Sequence, residues 1–239
     1  MKPLISIVEP IALLLTWQPE DESSQNRTRR VVGEVSRVSD SRATFRYLSG
    51  TADYKAAFDA GFKGFAPFWP LNVTTDDGVL DTFMRRLPPK RREDFSEFLA
   101  RHRLPQPFTY SDFALLGYTG AKLPSDGFAL VPVFPSGTVN CDFIAELAGV
   151  RHVFDKPVGE LCVGDPVELV REFGNIHDAN AIAVYWAKNK LGYVNRVMCP
   201  TFCEWLSRGD VTATIERVNG KPERPLVYVR VQVRPKGSL

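Results

Sequence analysis

Between Arg171 and Tyr185 the chain reads "REFGNIHDANAIAVY", and within it Asn175, His177, Asp178 and Asn180 gather two amides, an imidazole and a carboxylate in six residues. Such groups can donate to and accept from a polar ligand. Asn and Asp are also ordinary turn residues, because their side chains hydrogen-bond nearby backbone. The apolar run Ala181–Ile182–Ala183–Val184–Tyr185–Trp186 that follows has the β-branched and aromatic content of a strand. The residues themselves leave a plain turn and a turn that also holds a ligand both open.

Other chemistry-bearing residues are sparse. His102, His152 and His177 with four cysteines could supply a nucleophile and a base, but nothing in their spacing pairs them. Cys199 and Cys203 are spaced C-x3-C, while Cys141 and Cys162 stand apart, so no C-x2-C knuckle completes a zinc site. Reduced, buried thiols are expected, with no metal, no cofactor and no catalytic centre.

The elements that position these residues fall into two regions. In the first, strands are expected at Ile11–Trp17, Val31–Val38 and Ala43–Leu48, with a polar loop, Gln18–Arg30, between the first two. "GFKGFAPFWPLN", Gly61–Asn72, has too many glycines and prolines for regular structure yet carries four aromatics. A helix capped by Asp76 or Asp77 reaches Leu87, with Leu80, Phe83, Met84 and Leu87 on one stripe. Pro88–Pro89 ends it, a second helix runs from about Lys90 to Arg103, a third starts at Ser111 or Asp112, and a strand covers Phe128–Val133.

The second region is mostly β. Strands are expected at Val167–Arg171, Ala181–Trp186, Leu191–Val194, Val211–Val218 and Leu226–Val233, interrupted by a helix over Pro200–Ser207. In the last strand Val227, Val229, Val231 and Val233 alternate onto one face. Five short strands and one helix predict a small barrel-like sheet. The predicted fold class is α+β: a first domain at 1–135, a linker at 136–143 and a β-barrel domain with one or two helices at 144–239.

Bulk properties suit a folded protein: 239 residues, 44% hydrophobic and 24% charged. No apolar run approaches the ~20 residues that span a bilayer, and the start lacks a small-residue cleavage site, so a cytoplasmic location is expected. Net charge is +2, which argues against a blanket polyanion binder. From Val150 onward there are 13 Lys and Arg against 10 Asp and Glu, so any nucleic-acid site must be local.

"GDPVELVREFGNIHDANAIAVY", "KLGYVNR" and "GDVTATIERV" together resemble a HIRAN domain, over about residues 144–233. The resemblance implies an OB-like barrel that binds the 3′ end of single-stranded DNA. It places the family's acid at Asp178, the companion amide at Asn175, a groove-lining ring at Tyr193 and a phosphate-contacting arginine at Arg151. His177 fills a slot often held by an aromatic, and His152 follows the arginine. A carboxylate accepts a hydrogen bond from a terminal hydroxyl and repels a terminal phosphate, which would select the chemistry of the end. Stacking on Tyr193 would add ~1–3 kcal/mol per base. The chain departs from the family pattern at His152–Val153, where DNA-binding members carry two tyrosines, so one stacking platform is weakened or lost. Tyr193 as plain barrel surface remains the competing reading.

The first region resembles the N-terminal subdomain of HipA-type toxin kinases over about residues 7–134, on "VGEVSR", "ATFRYL", "FAPFWPLN", "TFMRRLPPKRREDFSEFLARHRL" and "DFALLGYTGAKLPSDGFALVPV". The family's usual F-x-x-L-L-P-E is altered here to Phe83–Met84–Arg85–Arg86–Leu87–Pro88–Pro89. No phosphate-cradling loop, metal-binding Asp or catalytic Asp segment follows, so no kinase activity is expected. The resemblance implies a bacterial toxin–antitoxin or DNA-damage assembly. Its partner would be a separate HipA-type kinase core, with or without a helix-turn-helix repressor. Phe68 and Trp69, between Pro67 and Pro70, could anchor that partner or fill the domain's own core. Arg85 and Arg86 could form a second contact surface or merely a solvated helix face. The combined expectation is a non-catalytic regulator that binds a kinase core and a DNA 3′ end; the alternative is a stand-alone DNA-end sensor with the first domain as scaffold.

Overall fold

The computed structural model describes residues 2–19, 28–123, 126–176 and 178–237; most of the expected Gln18–Arg30 loop lies outside them. The chain forms two compact units. One comprises Val8–Pro135 with the residues before Leu4, the other Leu4–Ile7 with Ser136 onward.

The first unit is built on an antiparallel sheet of β1 (Ala12–Trp17), β2 (Arg30–Arg37), β3 (Ala43–Tyr47) and β4 (Phe128–Val133), in the order β3-β2-β1-β4. Pro132 sits within β4 opposite Leu13. A strand interior tolerates proline only where a ladder N–H can be spared, and β4 is an edge. Four helices complete the unit: α1 (Ala52–Asp59), α2 (Val79–Met84), α3 (Phe95–Arg101) and α4 (Asp112–Thr119). Helix α4 is buried from Phe113 to Thr119, which its apolar "FALLGY" requires. The Ser111 hydroxyl accepts from the Ala114 amide at its start, and Gly120, at φ 71°, ends it in the left-handed conformation that favours glycine.

Three helical expectations are corrected. Helix α2 starts after Gly78 rather than at Asp76 or Asp77, and α3 covers only Phe95–Arg101 of the expected Lys90–Arg103, because turns follow Pro88–Pro89. Helix α1 was not expected at all. It buries only Tyr54 and Ala57, too thin an apolar stripe to register, and starts where Thr51 accepts from the Tyr54 amide.

The aromatic loop folds over β3. The Phe65 amide donates to the Tyr47 hydroxyl (2.8 Å), which donates to the Phe68 carbonyl (3.0 Å). In the core Phe68 stacks on Phe45 and Phe65 on Phe83, and Phe83 meets Phe45 edge-on.

The second unit is a closed barrel, β10-β5-β8-β7-β6-β9, of β5 (Cys141–Ala148), β6 (Pro166–Arg171), β7 (Ile182–Trp186), β8 (Asn189–Val194), β9 (Gly209–Lys221) and β10 (Arg224–Pro235). Val227, Val229, Val231 and Val233 are all fully buried, as their alternation demands. Helix α6 (Cys199–Arg208) sets Phe202 and Trp205 into this core, with the Trp205 ring 6.5 Å from Phe143.

The barrel has six strands, not five. The additional one, β5, begins at Cys141 inside the segment expected as a linker. "CDFIAELA" hides its strand character because Asp142 is itself buried, so polar and apolar residues do not alternate. The short helix α5 (Val150–Val153) follows directly. Asp142 is 0% exposed and is satisfied from two sides. It accepts from the Ile5 amide (2.8 Å) and from Arg234 Nη2 (2.5 Å), while its own amide donates to the Ser6 carbonyl (2.8 Å). Residues Leu4–Ile7 thereby belong to the barrel unit.

Candidate functional site

The turn between β6 and β7 is closed by its own polar side chains. The Glu172 amide donates to the Ala181 carbonyl (2.9 Å) and the Asn175 amide to the Glu172 carbonyl (3.1 Å). Asn175 Oδ1 then accepts from the Asp178 amide (3.1 Å), and Asp178 Oδ1 accepts from the Asn180 amide (2.9 Å). Part of what Asn175 and Asp178 offer is therefore spent on the main chain. A carboxylate has about four lone-pair positions, so the Asn180 bond leaves Asp178 able to accept more. His177 lies outside the described residues.

Helix α6 backs this turn. Cys203 Sγ donates to the Asn180 carbonyl (3.9 Å). Burial, and then the charge of Asp178, push the Cys199 thiol up to about 12. The C-x3-C pair braces the turn, and among the described residues no three His, Cys, Asp or Glu side chains cluster as a metal site. Cys141 and Cys199 are buried, whereas Cys162 is exposed and Cys203 half-exposed, a correction to the expectation of four buried thiols.

A carboxylate that the sequence reading passed over joins the turn to the neighbouring strand. Glu172 Oε2 accepts from Asn175 Nδ2 (2.7 Å) and from the Tyr193 hydroxyl (3.2 Å), and Oε1 accepts from Lys190 Nζ (2.6 Å). Lys190 Nζ also donates to the Tyr193 hydroxyl (3.0 Å) and lies 5.1 Å from that ring's centroid. The Lys190 ammonium, then the Asn175 amide, hold the Glu172 carboxyl below the usual carboxylate range. The same carboxylate raises the lysine above its ordinary value.

A β-bulge makes this cluster possible. Tyr185 pairs with Lys190 but Val184 pairs with Gly192, so β8 carries one extra residue. Positions three apart in a regular strand face opposite sides. The extra residue brings Lys190 and Tyr193 together, as their hydrogen bond shows.

Tyr193 is also the hinge to the next group of residues. It pairs with Ala148 at the end of β5, and an added Cβ on Gly149 would lie 3.6 Å from its ring. Helix α5 starts there, with Arg151 and His152 both exposed and Arg151 Nε donating to His152 Nε2 (2.9 Å). A cleft of about 390 Å3 opens beside α5, lined by Arg151, Phe154, Lys156 and Pro157 and, across from them, Pro222 and Pro225. Gly192 permits this arrangement, because a Cβ there would sit 2.9 Å from the Ala148 carbonyl oxygen and 3.1 Å from the Val150 side chain.

Of the expected residues, Asn175 and Tyr193 are thus joined through Glu172, Asp178 is tied to Asn175 by its backbone amide, and Arg151 and His152 adjoin Tyr193 along β5 and α5. Glu172 and Lys190 left only faint signals, a charged residue before the turn and a lysine before "LGY".

In the first unit the four expected contact residues divide. Trp69 is 68% exposed, but Phe68 is 3% exposed and inside the aromatic core. Arg85 is exposed, while the Arg86 side chain is 7% exposed and grips Asp126 with both terminal nitrogens (2.7 and 2.9 Å). Phe68 and Arg86 are spent within the domain and present nothing to a partner, a correction with burial as its reason.

Residues 141–236 match the family model of the HIRAN domain, so this stretch of the second unit is a HIRAN domain. The crystal structure of the HIRAN domain of human HLTF is 15% identical, with a TM-score of 0.30, covering 39% of this chain and 76% of that one. A crystal structure of a protein from Lactobacillus plantarum is 26% identical, with a TM-score of 0.30, covering 39% of this chain and 95% of that one. No curated protein matches the chain. No helix among the described residues is long and apolar enough to cross a membrane.

Proposed function

We propose that the protein is a non-catalytic regulator whose second unit binds the 3′ end of single-stranded DNA. The observation that carries this reading is the junction of Asn175, Asp178 and Tyr193 within a HIRAN domain, with Arg151 on the adjoining cleft. The division of labour follows from the chemistry. Tyr193 offers a ring to the terminal base, Asp178 accepts from the terminal hydroxyl, and Arg151 meets a phosphate further back. Val153 supplies no ring, so the strand would meet Arg151, Lys156, Phe154 and the proline walls of the cleft, with Glu223 among its lining residues.

Fluorescence anisotropy of the full chain with a single-stranded oligonucleotide ending in a 3′-hydroxyl or a 3′-phosphate tests this. The expected result is tighter binding of the hydroxyl end, by about tenfold, the factor that 1.4 kcal/mol of charge repulsion provides. Absence of binding to either end, or equal affinity for both, would overturn it.

For the first unit we propose docking on a HipA-type kinase core, with exposed Trp69 held between Pro67 and Pro70 as the anchor. Exposure of this large aromatic supports the reading. Co-purification with a kinase core encoded next to the gene, lost on Trp69→Ala, is expected; a stable complex that ignores the substitution removes the anchor, and no complex removes the partner. The burial of Phe68 and Arg86 favours the other reading, in which the first unit is a scaffold for a stand-alone end sensor.

A further inference from the structure

We propose that Glu172 is a positioning residue that sets the end selectivity of this site, by neutralising Lys190 and fixing Tyr193 and Asn175 beside the strand terminus. The inference rests on the reading of the barrel as a DNA-end binder and assigns a role to Glu172, which that reading gives no contact with the DNA.

Three observations carry it. First, one carboxylate meets three donors on two elements: Asn175 in the turn, and Lys190 and Tyr193 on β8. Second, the Lys190 ammonium is 3.0 Å from the Tyr193 hydroxyl, so it lies within reach of whatever stacks on that ring. Third, both members of the ion pair are more than a quarter exposed, at 28% and 29% of their side-chain surface. Solvent reaches both charges and screens their attraction, so holding the fold together is a poor reason for this pair.

Charge arithmetic gives the function. A bare ammonium beside the terminal sugar would attract a 3′-phosphate and cancel the repulsion from Asp178. Paired with Glu172, it contributes no net charge and leaves Asp178 to decide. The bulge in β8 is the device that puts the lysine there, and Glu172 is the group that keeps it from spoiling the selection.

The test uses the full chain, the same pair of oligonucleotides and two substitutions with opposite expected signs. Glu172→Gln leaves the lysine unbalanced, so the preference for the hydroxyl end should narrow by about tenfold, chiefly through tighter phosphate binding. Its binding of the phosphate end should also become more salt-dependent, by roughly 0.7 in the log–log slope for one added contact. Lys190→Met unmasks the carboxylate and should widen the preference. The double substitution should return it to near the starting value. If both single substitutions weaken the two ends in equal proportion, Glu172 is merely structural and the proposal fails. Should Glu172→Gln fail to fold, an unchanged preference in Lys190→Met overturns it alone. A wild-type chain that binds neither end, or both equally, sinks the end-binding reading itself; a selective wild type with unmoved variants sinks only this inference.

Discussion

Asp178 does two jobs with one carboxylate: it caps its own turn at the Asn180 amide, and its charge helps keep the Cys199 thiol protonated. The two roles separate by substitution. Asp178→Asn keeps an oxygen for the Asn180 amide and removes the charge, so the fold should stand while hydroxyl-over-phosphate preference falls. Asp178→Ala also loses the turn bond, at a cost of about 1 kcal/mol. Thermal melts read with anisotropy distinguish them; equal melting midpoints would show that the turn bond is worth nothing. The turn was legible and the ligand role was not: "NIHDAN" by itself left both readings standing, and the geometry adds that the Asn180 bond occupies only part of the Asp178 carboxylate.

At the scale of elements, the strand β8 decides what the site contains. Its bulge gathers Lys190 with Tyr193, and its Gly192 lets β5 and α5 approach. Gly192→Ala must push the Ala148 carbonyl and Val150 aside. The expected cost is about 1–3 kcal/mol of stability, as for other overpacked sites, with weaker DNA binding because Arg151 shifts relative to Tyr193. Chemical denaturation and anisotropy check the two effects, and a neutral substitution would show that α5 yields freely. In the first unit, neighbouring residues meet opposite fates for the same kind of reason. Arg86 finds Asp126, forty positions away in sequence, and Arg85 finds solvent.

At the scale of the whole molecule, the chain contributes Leu4–Ile7 to the barrel unit before building the first unit, and returns at Ser136. Burial by itself would raise the Asp142 carboxyl, but the Ile5 amide and Arg234 outweigh it and hold the group below its ordinary value. A depressed carboxyl contributes stability that is present above its unfolded value and lost as pH falls through the lower folded value. Removing residues 2–7 deletes the Ile5 and Ser6 donors. The barrel should then lose about 1.5–3 kcal/mol, the worth of a hydrogen bond to a charged group, and its acid unfolding should begin at higher pH. Thermal melts across acidic pH measure this; coincident curves for the full and shortened chains would refute it.

The sequence by itself determined the barrel strand that holds Val227 to Val233, the start of α4 at Ser111 and the turn before Ile182, because alternation, capping and turn chemistry are local. It also carried the HIRAN resemblance in "NIHDANAI" and "LGY". Strand β5 escaped because its buried Asp142 imitates a polar linker until Ile5 and Arg234 are seen around it. Tertiary structure alone decided that Glu172 and Lys190 join the site, that Phe68 is core while Trp69 is surface, and that the bulge turns Lys190 toward Tyr193. Each of these depends on partners distant in the chain, and burial and hydrogen bonding are settled between such partners, not by neighbours in sequence.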